Sequence, residues 1–132
     1  MSSQIFVNIA VKDLEKSMRF FAKLGFSFNA EFSDENAACM IISEEAYVML
    51  LVEKFFKTFT PKNIADTNKS TEVLISLSME SREKVDELLE KAISMGAVEA
   101  RDPQDDVFMY ARSFSDLDGH IWELFWMEPD VM

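Results

Sequence analysis

Glu123 is the side chain best placed in this sequence to do chemistry. It lies between Trp122 and Leu124 in the run from His120 to Met127, whose aromatic and branched residues predict a strand. On that strand Ile121 and Phe125 share its face. A carboxylate among apolar neighbours loses hydration, which favours the protonated form and suits it to a general acid or base. A salt bridge to Arg112 is the structural alternative, because the preceding strand, Val107 to Phe114, should run antiparallel to this one. The single histidine, His120, stands three residues before Glu123, and odd spacing puts the two on opposite strand faces. Cys39, the only cysteine, sits in the apolar run Ala37 to Ile42. With no cationic neighbour in sequence to activate a thiolate, it reads as a small buried hydrophobe.

The elements that must carry these groups repeat. Gly25 ends a segment from Asp13 to Leu24 with an apolar stripe at Leu14, Met18, Phe21 and Leu24. Gly96 ends a second segment from Ser81 to Met95, striped at Val85, Leu88, Leu89 and Ala92. Both are predicted helices, capped by Asp13 and Ser81 at one end and by a residue free to take positive φ at the other. Strands are predicted at Gln4 to Val11, Phe26 to Phe32, Ala37 to Ser43 and Ala46 to Val52. A second set follows at Thr71 to Met79, Ala97 to Arg101, Val107 to Phe114 and His120 to Met127. The order is therefore βαβββ twice, over 1–52 and 71–132, with 53–70 connecting them. Phe55, Phe56 and Phe59 are expected to pin that connection to a sheet, a lid over a pocket being the alternative.

A chain of 132 residues can bury enough surface to fold without disulfides or a structural metal. The 13 Lys and Arg against 24 Asp and Glu give a net charge of −11, which disfavours nucleic acid and anionic membranes and favours a cationic ligand. The polar start Met1-Ser-Ser-Gln4 and the lack of a long apolar run predict a cytoplasmic protein with no leader or membrane span.

Two segments resemble a known family. The stretch from Val7 to Phe26, with Val11-Lys-Asp-Leu-Glu-Lys-Ser17 at its centre, is similar to the opening module of the vicinal oxygen chelate superfamily. That superfamily includes glyoxalase I, extradiol dioxygenases, and fosfomycin- and bleomycin-resistance proteins. The closing Asp116-Leu-Asp-Gly-His-Ile-Trp-Glu123 resembles its last hairpin, with Leu117 where proline is usual. The resemblance implies an α+β fold in which two βαβββ modules form paired, curled mixed sheets around a trough, and it implies a homodimer. In metal-dependent members the ligands project from strands one, five and eight, with a further Glu on strand four in glyoxalase I. Carried over, those positions fall on Phe6, Leu74 (Glu72 if the register slips by two), Glu123 and Met49. Phenylalanine, methionine and leucine offer no hard donor, and one carboxylate cannot hold a divalent metal. No cofactor is therefore expected; a divalent metal would need Glu123 together with Glu72 or a partner chain's residues.

Within that implied trough, Asn8 shares the face of Phe6, and Ser76 and Ser78 occupy the comparable face of the fifth strand. Tyr110 and Arg112 join them if they face inward, while Phe6, Phe108 and Phe125 offer stacking surface. The expected function is metal-free binding or sequestration of a small molecule, in a cationic and partly aromatic form if charge decides. A lyase or dioxygenase using Glu123 as base with an unrecognised metal site is one alternative. A non-catalytic interaction module is the other.

Overall fold

The structure, a computed structural model, describes residues 3–131. The chain divides into two compact units, Met1–Ile64 and Ala65–Met132, each an α+β module of order βαβββ.

The first unit comprises β1 (Ile5–Val11), α1 (Leu14–Leu24), β2 (Ser27–Asn29), β3 (Ala37–Ile41), β4 (Ala46–Val52) and a short α2 (Glu53–Phe56). Asp13 accepts a hydrogen bond from the Lys16 N–H, and Gly25 ends α1 at φ 110°. The strand order is β1-β4-β3-β2, with β1 parallel to β4 and the other pairs antiparallel. Phe20, Phe21 and Leu24 of α1 are buried with Ile9, Val11, Val48, Leu50 and Met40. Each aromatic buried this way contributes roughly 1.5–3 kcal/mol over an exposed one.

The predicted strand Phe26 to Phe32 is shorter than expected. Ala30–Phe32 forms a 3-10 turn, begun when the Asn29 carboxamide oxygen accepts from the Glu31 N–H at 2.9 Å. That local bond offers the backbone an alternative to the ladder. In the connecting segment Phe55 and Phe59 meet edge to face at 5.1 Å, and Phe59 remains exposed.

The second unit comprises β5 (Leu74–Ser78), α3 (Arg82–Ser94), β6 (Val98–Asp105), β7 (Met109–Ser115) and β8 (Ile121–Met127). Its sheet order β5-β8-β7-β6 repeats the first, with β5 parallel to β8. Ser81 caps α3 through the Lys84 N–H. Val85, Leu88, Leu89 and Ala92 are buried, as the stripe requires. Strand β6 runs beyond its predicted end at Arg101 because two irregularities, between Glu99 and Arg101 and between Arg101 and Gln104, absorb extra residues against β7. Pro103 falls in the second, a position where a missing N–H is tolerated. No helix among the described residues is long and apolar enough to cross a membrane.

Candidate functional site

Strand register in the second unit fixes what surrounds Glu123. Ser76 of β5 is paired with Glu123 of β8, Glu123 with Ser113 of β7, and Ser113 with Arg101 of β6. The four form one row on the sheet face opposite α3. Arg101 reaches that face only because Ala100 is left without a partner in the first bulge, which reverses the side-chain alternation after Glu99. Its Nη2 then meets Glu123 Oε2 at 2.5 Å and Gln104 Oε1 at 3.0 Å. Residues two strands apart can touch only by passing over the strand between, so the Arg101–Glu123 pair spans Ser113. The Ser113 hydroxyl is buried beneath it, with no hydrogen-bond partner among the described residues. Ser76 Oγ stands 3.4 Å from Glu123 Oε1, long for a hydroxyl–carboxylate bond. Leu74, Ile121 and Phe125 lie on the same face, Leu74 well exposed.

The expected apolar isolation of Glu123 is thus replaced by a charge partner, and the partner is not Arg112. Arg112 pairs with Leu124, one step out of register with Glu123, so the pleat turns it to the α3 side. There its guanidinium binds Asp86 at 2.9 Å, Glu90 at 2.8 Å and Glu99 at 2.9 Å, and its side chain is only 11% exposed. Tyr110 lies on that side too, donating to Asp86 Oδ1 at 2.6 Å. Neither residue shares a face with Glu123. Hydrogen bonds and charge from Arg112 hold the Glu99 carboxyl below its usual range. At Asp86 partial desolvation opposes ionisation, but the bonds from Tyr110 and Arg112 outweigh it and the carboxyl is again lowered. The bond to Glu99 leads the causes that raise Arg112 well above its ordinary value. Phe108 is placed outside β7, exposed in the preceding turn, where its N–H donates to Asp106 Oδ1.

In the first unit the corresponding sheet face carries Phe6, Asn8, Tyr47 and Met49. Phe6 stacks on Tyr47 at 4.8 Å with the rings 12° from parallel. Asn8 is paired with Met49, and Met49 with Cys39. Asn8 is exposed and Cys39 fully buried, which pushes the thiol up from its ordinary range.

Glu72 does not approach the Glu123 row. Its carboxylate meets His120 Nδ1 at 3.0 Å, and His120 is buried in the turn before β8. In that turn Asp116 accepts from the backbone N–H groups of Asp118 and His120 and from Trp122 Nε1. Burial pushes the Asp116 carboxyl up, against the pull of those donors. Thr67 Oγ1 donates to the Asp118 carbonyl, laying the connecting segment against Gly119. A Cβ at Gly119, where φ is +87°, would stand 2.8 Å from Thr67 Oγ1 and 3.1 Å from its Cβ. Gly119→Ala is therefore expected to cost about 2–4 kcal/mol in urea unfolding, from backbone strain plus the clash. Gly25→Ala, at φ 110° with nothing within 4 Å, should cost visibly less. Equal costs would mean that the Thr67 approach contributes nothing.

Whether these positions suit a divalent metal is decided by their donors. Phe6 and Leu74 supply none, Met49 offers only a soft thioether, the Glu123 carboxylate is held by Arg101, and Glu72 is engaged by His120. No group of three or more metal-ligating side chains occurs among the described residues. The residues do not fit such a site.

Two mixed sheets of matching order, each built as βαβββ, define the vicinal oxygen chelate fold, and this chain has it. Within it, residues 4–43 match the family described as bleomycin resistance protein-like N-terminal. Among solved structures it is similar to hypothetical protein SA1046 of S. aureus, at 28% identity and TM-score 0.81 over 96% of this chain and 95% of that one. A glyoxalase/bleomycin resistance protein/dioxygenase family enzyme of Burkholderia phytofirmans PsJN matches at 15% identity and TM-score 0.78, covering 96% and 99%. The fosfomycin resistance protein FosX of Listeria monocytogenes, solved with Mn(II) and sulfate, matches at 18% identity and TM-score 0.69, covering 98% and 94%. No curated protein matches the sequence.

Proposed function

We propose that this protein binds a small, partly apolar molecule and does so without a metal. The observation that carries the reading is the Arg101–Glu123 contact at 2.5 Å. The one carboxylate kept at a ligand-type position already has a cation, and that cation belongs to the chain itself. The likeness to bleomycin-resistance proteins supports binding as the activity, and the exposed face around Leu74, Ile121 and Phe125 offers the apolar contact. The net charge of −11 disfavours an anionic ligand.

Native mass spectrometry after incubation with Mn²⁺, Ni²⁺, Zn²⁺ and anaerobic Fe²⁺ tests the reading. The expected spectrum is that of the bare chain, with any co-purified small molecule lost on unfolding. One metal retained per chain would overturn the proposal in favour of a metal-dependent lyase or dioxygenase. Glu123→Gln is expected to change ligand affinity modestly; for a lyase or dioxygenase it would abolish turnover.

A further inference from the structure

The geometry points to an uncharged amide- or urea-type group as the part of the ligand read by the second sheet. This inference rests on the binding role proposed above and specifies its chemistry. A guanidinium carries five N–H donors. Nη2 of Arg101 spends its two on Glu123 and Gln104, leaving the Nε–H and both Nη1–H groups without a partner among the described residues. Across the contact, Glu123 Oε1 has only the long approach of Ser76. The pair therefore presents donors and an acceptor side by side on an accessible face. Its own charges cancel, so neither an anion nor a cation gains a full opposite charge there. The group that matches donors beside an acceptor is one whose carbonyl oxygen and N–H lie on the same edge, as in a carboxamide, a lactam or a urea. Burial of such a matched group satisfies both partners, whereas a charged isostere leaves one of them facing its own sign.

Ser113 supplies an independent pointer. Its hydroxyl is 2% exposed and unpartnered, and strand alternation aims it at the row between Arg101 and Glu123. A carbonyl that draws the Arg101 guanidinium outward would uncover this hydroxyl, which has no hydrogen-bond partner among the described residues, and let it donate to the same ligand. Gln104 also accepts from Nη2, so the guanidinium keeps an anchor when its remaining donors turn toward a ligand.

Three isosteric probes separate the possibilities: benzamide, benzoate and benzamidine share a ring and differ in charge. Each is titrated into ¹⁵N-labelled protein, following the Arg101 side-chain Nε–H and the backbone amides of Ser113 and Phe125 by NMR. Benzamide is expected to shift all three resonances, with benzoate and benzamidine weaker by at least about tenfold in Kd. Arg101→Gln and Ser113→Ala should each weaken benzamide and narrow its advantage over the charged probes; the dispersion of the spectrum shows that the variants fold. If benzamidine or benzoate binds more tightly through the same resonances, the amide assignment is overturned while the binding role stands. If none of the three probes moves these resonances, both the assignment and the site fall together.

Discussion

Trp122→Ala should be among the most destabilising single changes in this protein, at about 3–5 kcal/mol. The indole is 1% exposed in a row with Ile75 and Phe114 on the α3 side of the sheet. Truncation leaves a cavity that neighbouring strands cannot fill. It also removes the Nε1–H donated to Asp116 Oδ2 at 2.9 Å. Trp122→Phe isolates that second effect, because most of the apolar volume stays, and it should cost about 1–3 kcal/mol. The pH dependence separates donor loss from packing loss. The folded-state value of Asp116 is raised by burial, so its contribution to stability is present at low pH and declines as pH rises through that value. Losing a donor to the carboxylate raises it further. The penalty of Trp122→Phe, read from urea midpoints, should therefore be larger at neutral pH than in acid. A penalty independent of pH would mean that the indole acts through packing alone.

Arg112→Met is the second large effect. The side chain is largely buried at the sheet–helix boundary, where its one positive charge is shared by Asp86, Glu90 and Glu99. Breaking a fully buried pair costs about 3–5 kcal/mol. Here Asp86 and Glu90 are at least half exposed, so solvent takes up part of the loss, and about 2–3 kcal/mol is expected. Methionine keeps the stem's packing, which leaves charge as the main difference. Asp86 and Glu99 have lowered values in the folded state, so they stabilise it above the ordinary carboxylate range and stop doing so as pH falls through their folded values. The gap between wild type and Arg112→Met should be full at pH 7 and close below about pH 4. A gap that persists in acid would place the loss in packing rather than in the carboxylates.

What was legible in the chain was whatever depends on local chemistry. Asp13 and Ser81 announced their helices because a side chain that accepts from the third N–H onward acts within a single turn. The burial of Phe21, Leu24, Leu88 and Leu89 followed from helical spacing, and the order βαβββ from the alternation of such stripes with branched runs. The surroundings of Glu123 were not legible, and the reason is register. Antiparallel pairing of β7 with β8 was foreseen, but a one-residue difference decides whether Arg112 or Ser113 stands opposite Glu123, and nothing local sets it. The same single step sends Tyr110 and Arg112 to the face where α3 brings Asp86 and Glu90. Arg101 was missed altogether, because an unbroken strand would have turned it toward α3 along with Glu99. Pro103, two residues past the predicted end at Arg101, marks the irregular stretch of β6 but lay outside the predicted strand.

That irregular strand matters for more than the direction of one guanidinium. β6 is the terminal strand of its sheet, and a terminal strand offers a row of unused backbone groups to any extended chain that meets it. Two bulges, a proline and the charges of Arg101, Asp102 and Asp105 leave β6 no long, flat stretch on which a foreign strand could template itself. Repairing the first bulge, by deleting Ala100, would keep Arg101 opposite Ser113 and on the Glu123 face while straightening that part of the border. A mutant that keeps Arg101 beside Glu123 would then still be more prone to stick to its neighbours during refolding.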